Sequence, residues 1–141
     1  MAISDVYAAQ YLLEGTLAVP QRIAWREQVP DGASLITELG GVEIVLEHVY
    51  ARTASHLMLR FRDREDEYCL REPTPIGWFG RRYSSEDDRS LAELLRKLMR
   101  AAMLQCQARK ARALENPELV RDRIYRRLLF EQPAEAELVS K

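Results

Sequence analysis

The alternation of apolar and polar positions between Leu35 and Glu72 is the most informative pattern in the chain. Leu35, Thr37 and Leu39 alternate, Gly40-Gly41 fits a two-residue hairpin turn, and Val42, Ile44 and Leu46 resume the alternation. Pairing Leu39 with Val42 sets Thr37 opposite Ile44 and Leu35 opposite Leu46, all on one face. The next strand must turn Leu57, Leu59 and Phe61 to that face, because a one-residue slip would expose them. This predicts Tyr50 against Leu57, His48 against Leu59 and Leu46 against Phe61, with 51–56 as the loop. After the polar turn around Asp63-Arg64-Glu65-Asp66, the return strand pairs Phe61 with Tyr68, Leu59 with Leu70 and Arg62 with Glu67. The competing reading makes 33–39 a short helix with Gly40 as its C-cap.

On the N-terminal side, Ser4 or Asp5 can cap a short helix carrying Tyr7, Ala8, Tyr11 and Leu12, with Gly15 as its stop. Residues 16–19 and 21–26 then read as strands, with Pro20 and Pro30 favouring edge or bent positions. Residues 73–84, with two prolines and two glycines, read as a loop. Ser85 opens a helix whose first turn holds Glu86, Asp87 and Asp88, where the helix dipole favours acids. Leu91, Leu94, Leu95, Leu98, Ala102 and Cys106 continue a stripe at helical spacing, and nothing interrupts it before Asn116-Pro117. Thirty helical residues would span roughly 45 Å, so part of this helix is expected to project or to pack elsewhere. Asn116 as cap and Pro117 at the first helical position begin a second helix with Leu119, Val120, Ile124 and Leu128. The predicted fold is α+β: a short N-terminal helix, an antiparallel meander of five or six strands, a long helix and a second C-terminal helix. The expected divisions are a sheet domain over 1–84, a basic helical hairpin over 85–131 packed partly on the sheet, and a flexible tail over 132–141.

Composition adds little until it is divided along the chain. The 141 residues carry 21 basic and 22 acidic groups, a formal net charge of −1. Residues 1–88 hold 9 basic and 15 acidic groups, net −6, whereas residues 89–130 hold 11 and 4, net +7. An acidic sheet region is thus followed by basic helices, a layout suited to a charged partner. No apolar run approaches the length of a membrane span, and the N-terminus lacks the features of a signal peptide, so a cytoplasmic setting is expected.

The chemistry that is missing narrows the choices. Of the two histidines, His48 is placed on the core face and His56 in a loop near Ser55, Arg52 and Thr53. Neither is accompanied by the acid and oxyanion donors of a catalytic pair, or by the spacing of a zinc motif. There is no Gly-rich phosphate loop. The acidic turn lacks the alternating ligands and central Gly of a calcium loop, and reads as solvated. Cys69 and Cys106 read as small buried hydrophobes. No cofactor or metal is expected, and an enzyme would have to work with carboxylates and arginines alone.

Two segments stand out as binding candidates. One is the loop holding Trp78, Phe79, Arg81, Arg82 and Tyr83, residue types enriched at interface hot spots. The other is the basic set Arg96, Lys97, Arg100, Arg109, Lys110, Arg112, Arg121, Arg123, Arg126 and Arg127. The expectation is a non-enzymatic regulator or adaptor that docks on a larger assembly, with transcription or other nucleic-acid machinery such as RNA polymerase first among the choices. Direct nucleic-acid binding through the basic helices is the first alternative. The second is homo-oligomerisation through Leu91, Leu95, Leu98 and Ala102 on the helical hairpin.

Overall fold

In the computed structural model the described residues are 2–28, 34–50, 55–76, 82–113 and 116–130. The fold is α+β. Helix α1 (Asp5–Leu17) leads into β1 (Arg26–Glu27), β2 (Ser34–Leu39), β3 (Val42–Tyr50), β4 (Ser55–Arg62) and β5 (Glu67–Arg71). Helices α2 (Glu86–Ala113) and α3 (Pro117–Phe130) follow. The strands form one antiparallel meander in chain order. One compact unit runs from Met1 to Cys106 and a second from Gln107 onward, so the division between them falls inside α2.

The β2–β3 and β4–β5 registers are as the alternation predicts. Leu35 faces Leu46 and Thr37 faces Ile44; Leu59 faces Leu70 and Phe61 faces Tyr68. Gly40 and Gly41 both take positive φ, which the two-residue turn demands. Residues 34–39 are strand, not helix. Between β3 and β4 the expected register is corrected by two residues: His48 faces Leu57, Leu46 faces Leu59 and Ile44 faces Phe61. A two-residue shift leaves every side chain on its face, so alternation alone is blind to it. The observed register extends the ladder to Tyr50 and Ser55 and shortens the connection, which lowers the entropy of closing it. His56 therefore belongs to β4, opposite Val49, and not to a loop.

The face bearing Leu35, Ile44, Leu46, Leu57, Leu59 and Leu70 forms the core with Ala9, Leu12 and Leu13 of α1 and with Leu91, Leu95, Leu98, Met99, Ala102 and Cys106 of α2. The other face carries a charge ladder. Arg60 contacts Glu47 at 2.7 Å and Glu67 at 3.7 Å, and Arg62 contacts Glu43 at 3.6 Å. Although Glu67 stands opposite Arg62, its ion pair is thus with Arg60. Cys69 lies exposed there, against the expectation that it is buried, whereas Cys106 is buried.

The N-terminal segment departs most from expectation. Helix α1 does not stop at Gly15 but runs to Leu17, and residues 18–25 form neither helix nor strand. Gly15 serves close approach: a Cβ there would stand 2.5 Å from Ile23 Cδ1 and 2.7 Å from Ile23 Cγ1. Buried backbone groups outside regular structure need partners, and this segment finds them in two ways. The N–H groups of Arg22 and Ile23 donate to the Gly15 carbonyl at 3.2 and 3.1 Å, satisfying a helix-end acceptor that α1 leaves open. Side chains supply the rest, above all Gln105 of α2. Its Oε1 accepts from the Trp25 N–H at 2.8 Å, and its Nε2 donates to the carbonyls of Ile23 at 2.8 Å and Thr16 at 3.3 Å. The Thr37 hydroxyl donates to the Ala24 carbonyl at 2.8 Å. Trp25 is fully buried, and its indole N–H donates to Thr16 Oγ1 at 2.9 Å while that hydroxyl donates to the Leu12 carbonyl at 2.7 Å.

These contacts make two expected outcomes. Gly15→Ala should cost about 1–3 kcal/mol by overpacking, with a smaller cost in an Ile23→Ala background, measured as a double-mutant cycle in denaturant. Gln105→Leu should cost about 2–3 kcal/mol, since it strips partners from buried backbone groups. The exposed Gln107→Leu should stay within about 0.5 kcal/mol of the parent chain.

Candidate docking surface

The structure sorts the expected binding residues into distinct groups. Trp78, Phe79 and Arg81 lie outside the described residues. Arg82 is exposed and pairs its backbone with Ile76, its N–H donating to the Ile76 carbonyl at 3.1 Å and its carbonyl accepting from the Ile76 N–H. Tyr83 is half-buried beside it.

Arg96 is engaged within the fold. Its Nε donates to Glu72 Oε2 at 2.8 Å, while Glu72 Oε1 accepts from the Leu57 N–H at 3.0 Å. The Glu72 side chain is only 9% exposed, so this bidentate carboxylate ties the β4–β5 end to α2. The hydrogen bond to Glu72 raises the Arg96 pKa above its ordinary value, which keeps the guanidinium charged. Lys97 and Arg100, on the same helix, are exposed.

The remaining arginines gather in the second unit. Burial on α2 ends at Cys106, and residues 107–112 are all exposed. Ser85 caps the start of α2, accepting from the Asp88 N–H at 3.1 Å. Asn116 caps α3, its Oδ1 accepting from the Glu118 N–H at 2.9 Å, and Pro117 takes the first helical position. Helix α3 then buries none of its 14 residues. Arg109 and Arg112 from the end of α2, with Arg123 and Arg127 from α3, line an open cleft of about 460 Å³ whose apolar wall is Val120, Ile124 and Leu128. A smaller hollow holds Leu119, Asp122, Arg123 and Arg126. Lys110 is exposed on α2, and Arg121 stands 3.9 Å from Asp122. The basic charge is visible in the sequence, but the apolar wall between the arginines is not, since an amphipathic stripe reads equally well as one already buried.

The face offered for homo-oligomerisation is occupied. Leu91, Leu95, Leu98 and Ala102 are buried in the chain's own core. The histidines stand on opposite faces of the sheet, His48 with the core residues and stacked near Tyr50, His56 on the other side. They cannot join in one ligand set or catalytic pair. His56 Nε2 is buried with no hydrogen-bond partner among the described residues. Among the described residues no three His, Cys, Asp or Glu side chains cluster as a metal site would require. The acidic turn is held by Asp63, whose carboxylate accepts from the N–H groups of Asp66 at 2.7 Å and Glu65 at 2.8 Å. Those bonds, the one from Asp66 foremost, lower its pKa and keep it ionised. Among the described residues no helix is long and apolar enough to cross a membrane.

No family model matches the chain, and neither the curated proteins nor the solved structures contain a match to it.

Arg96 and Arg100, though alike in sequence, should therefore differ on substitution. Arg96→Gln is expected to cost about 1 kcal/mol, the upper end for a partly exposed ion pair, because it abandons a largely buried carboxylate. Arg100→Gln should leave the thermal midpoint within error of the parent.

Proposed function

We propose that this protein is a non-enzymatic cytoplasmic adaptor that docks on a larger assembly by receiving an acidic amphipathic helix in the α2–α3 cleft. The observation that carries the reading is α3 itself. It is a 14-residue helix with no buried residue, yet it exposes Leu119, Ile124, Tyr125, Leu128 and Leu129. Isolated helices of this length are marginal in water and gain most of their stability from packing an apolar face. The arginines around the cleft set the sign of the partner, and the apolar wall favours a helix with apolar residues at i, i+4 and i+7.

Nucleic-acid machinery, RNA polymerase included, is the assembly we propose first. Phosphate and acidic protein groups would alike attract Lys97, Arg100, Lys110 and Arg126, each of which is exposed. Direct nucleic-acid binding is the second reading, supported by seven basic residues between Arg109 and Arg127. A phosphate track has no use for the Val120, Ile124 and Leu128 wall, which is why the protein partner ranks first.

Fluorescence anisotropy with three labelled probes tests the choice: an acidic amphipathic peptide, a scramble of equal charge, and a DNA duplex. The amphipathic peptide should bind the parent chain at least tenfold more tightly than the scramble, and Ile124→Asp should abolish that preference. Tightest binding to the duplex, steeply salt-dependent and indifferent to Ile124→Asp, would overturn the docking reading in favour of the nucleic-acid one.

A further inference from the structure

The first unit carries an unfilled apolar groove of its own. It lies between α1 and the sheet and is walled by Ile3, Tyr7, Tyr11, Leu39, Val42 and Phe61, with a volume of about 380 Å³. Ile3, Tyr7 and Tyr11 recur at helical spacing and are 77%, 63% and 56% exposed, a large apolar surface for α1 to leave in water. Acids surround it. Asp5 and Glu14 belong to α1, and Asp63, Glu65 and Asp66 occupy the β4–β5 turn at the same end of the sheet as Gly40 and Gly41. Arg62 and Arg64 are the basic groups at that end, and Arg62 is paired with Glu43. Asp5 is fixed in place by the Tyr68 hydroxyl, which donates to it at 2.9 Å.

The groove calls for a basic amphipathic helix, and the chain supplies one. We infer that the groove of one copy receives α3 of a second copy, giving head-to-tail self-association. Val120, Ile124 and Leu128 would enter between α1 and the β2–β3 hairpin. The arginines beside them would meet the acids of α1 and of the β4–β5 turn, and the faces of Tyr7 and Tyr11 are suited to guanidinium stacking. Each apolar surface left open in one copy is covered by its reciprocal in another, and the net −3 of residues 1–106, which hold the groove, meets the net +4 of residues 107–130, which hold α3. Such a contact is heterologous, so copies add to one another as rings or open chains and not as a two-fold dimer. A single helix in a groove is at the small end of specific interfaces, which sets the expected association in the micromolar range. The inference shares α3 with the docking reading but does not depend on any external partner; the two uses of α3 exclude each other.

Sedimentation equilibrium on the full chain tests it from about 1 to 300 µM. The parent should rise from monomer to species beyond a dimer, and about 0.5 M salt should weaken the rise. Tyr11→Arg disables the groove and Ile124→Asp disables α3; both residues are exposed, and circular dichroism checks that each variant folds. Each variant alone should remain monomeric. Mixed in equal amounts they should form a dimer and nothing larger, because one intact groove and one intact α3 remain. A parent chain monomeric throughout overturns the inference. So does association that survives either substitution, or a mixture that fails to dimerise. A chain that stays monomeric can still bind the peptide, and one that associates can still fail to bind it when dilute, so the two readings fail separately.

Discussion

The side-chain amide of Gln105 is the point on which the first unit depends. Through one residue, α2 reaches the Trp25 N–H, the Ile23 carbonyl and the Thr16 carbonyl. Without it, residues 18–25 would be an irregular segment with backbone groups turned into the core, which a protein interior does not tolerate. With it, the segment folds back on the end of α1, Ile23 settles against Gly15, and Trp25 fills the space between the helices and the sheet. The Thr16 hydroxyl completes the arrangement by serving the indole N–H and the Leu12 carbonyl together. At the other end of α1, Ile3, Tyr7 and Tyr11 stay exposed along the groove.

A second constraint governs the rest of the chain. The core is finished at Cys106, immediately after Gln105, while α2 continues to Ala113 and α3 adds 14 residues that bury nothing. Nothing in local propensity requires α3 to expose six large apolar side chains, Leu119, Ile124, Tyr125, Leu128, Leu129 and Phe130. Placed between arginines, they form a surface whose stability is completed by whatever covers it. The chain's charge layout, acidic before residue 89 and basic from there to 130, gives that covering surface a sign.

Much of the sheet is legible in the sequence, for reasons that also explain the misses. Gly40-Gly41 and the 63–66 turn each tie two alternating runs together closely enough to set a register, so β2–β3 and β4–β5 follow from pattern and turn chemistry together. Between β3 and β4 the turn offers no such anchor, and a two-residue shift is invisible to a period of two. Gly15 is ambiguous because one residue type serves both as a helix stop and as a site of close approach. Only the position of Ile23 in space decides between them. Trp25 and Gln105 stand 80 residues apart, and glutamine carries no periodic signal. On the candidate surface the arginines are legible but their states are not. Arg96 is bound to Glu72, whereas Arg109 and Arg112 edge a cleft, and sequence distance alone cannot separate these fates.

The central claim is that the chain is held from within up to Cys106 and, beyond it, awaits a covering surface. Amide hydrogen exchange on the dilute full chain addresses this directly. The amides of Trp25, Leu95 and Leu98 should be among the slowest, opening only with global unfolding. Those of α3 should exchange orders of magnitude faster, as in a helix stabilised only locally. Protection of Ile124 and Leu128 equal to that of Leu95 and Leu98 in the monomer would contradict the account.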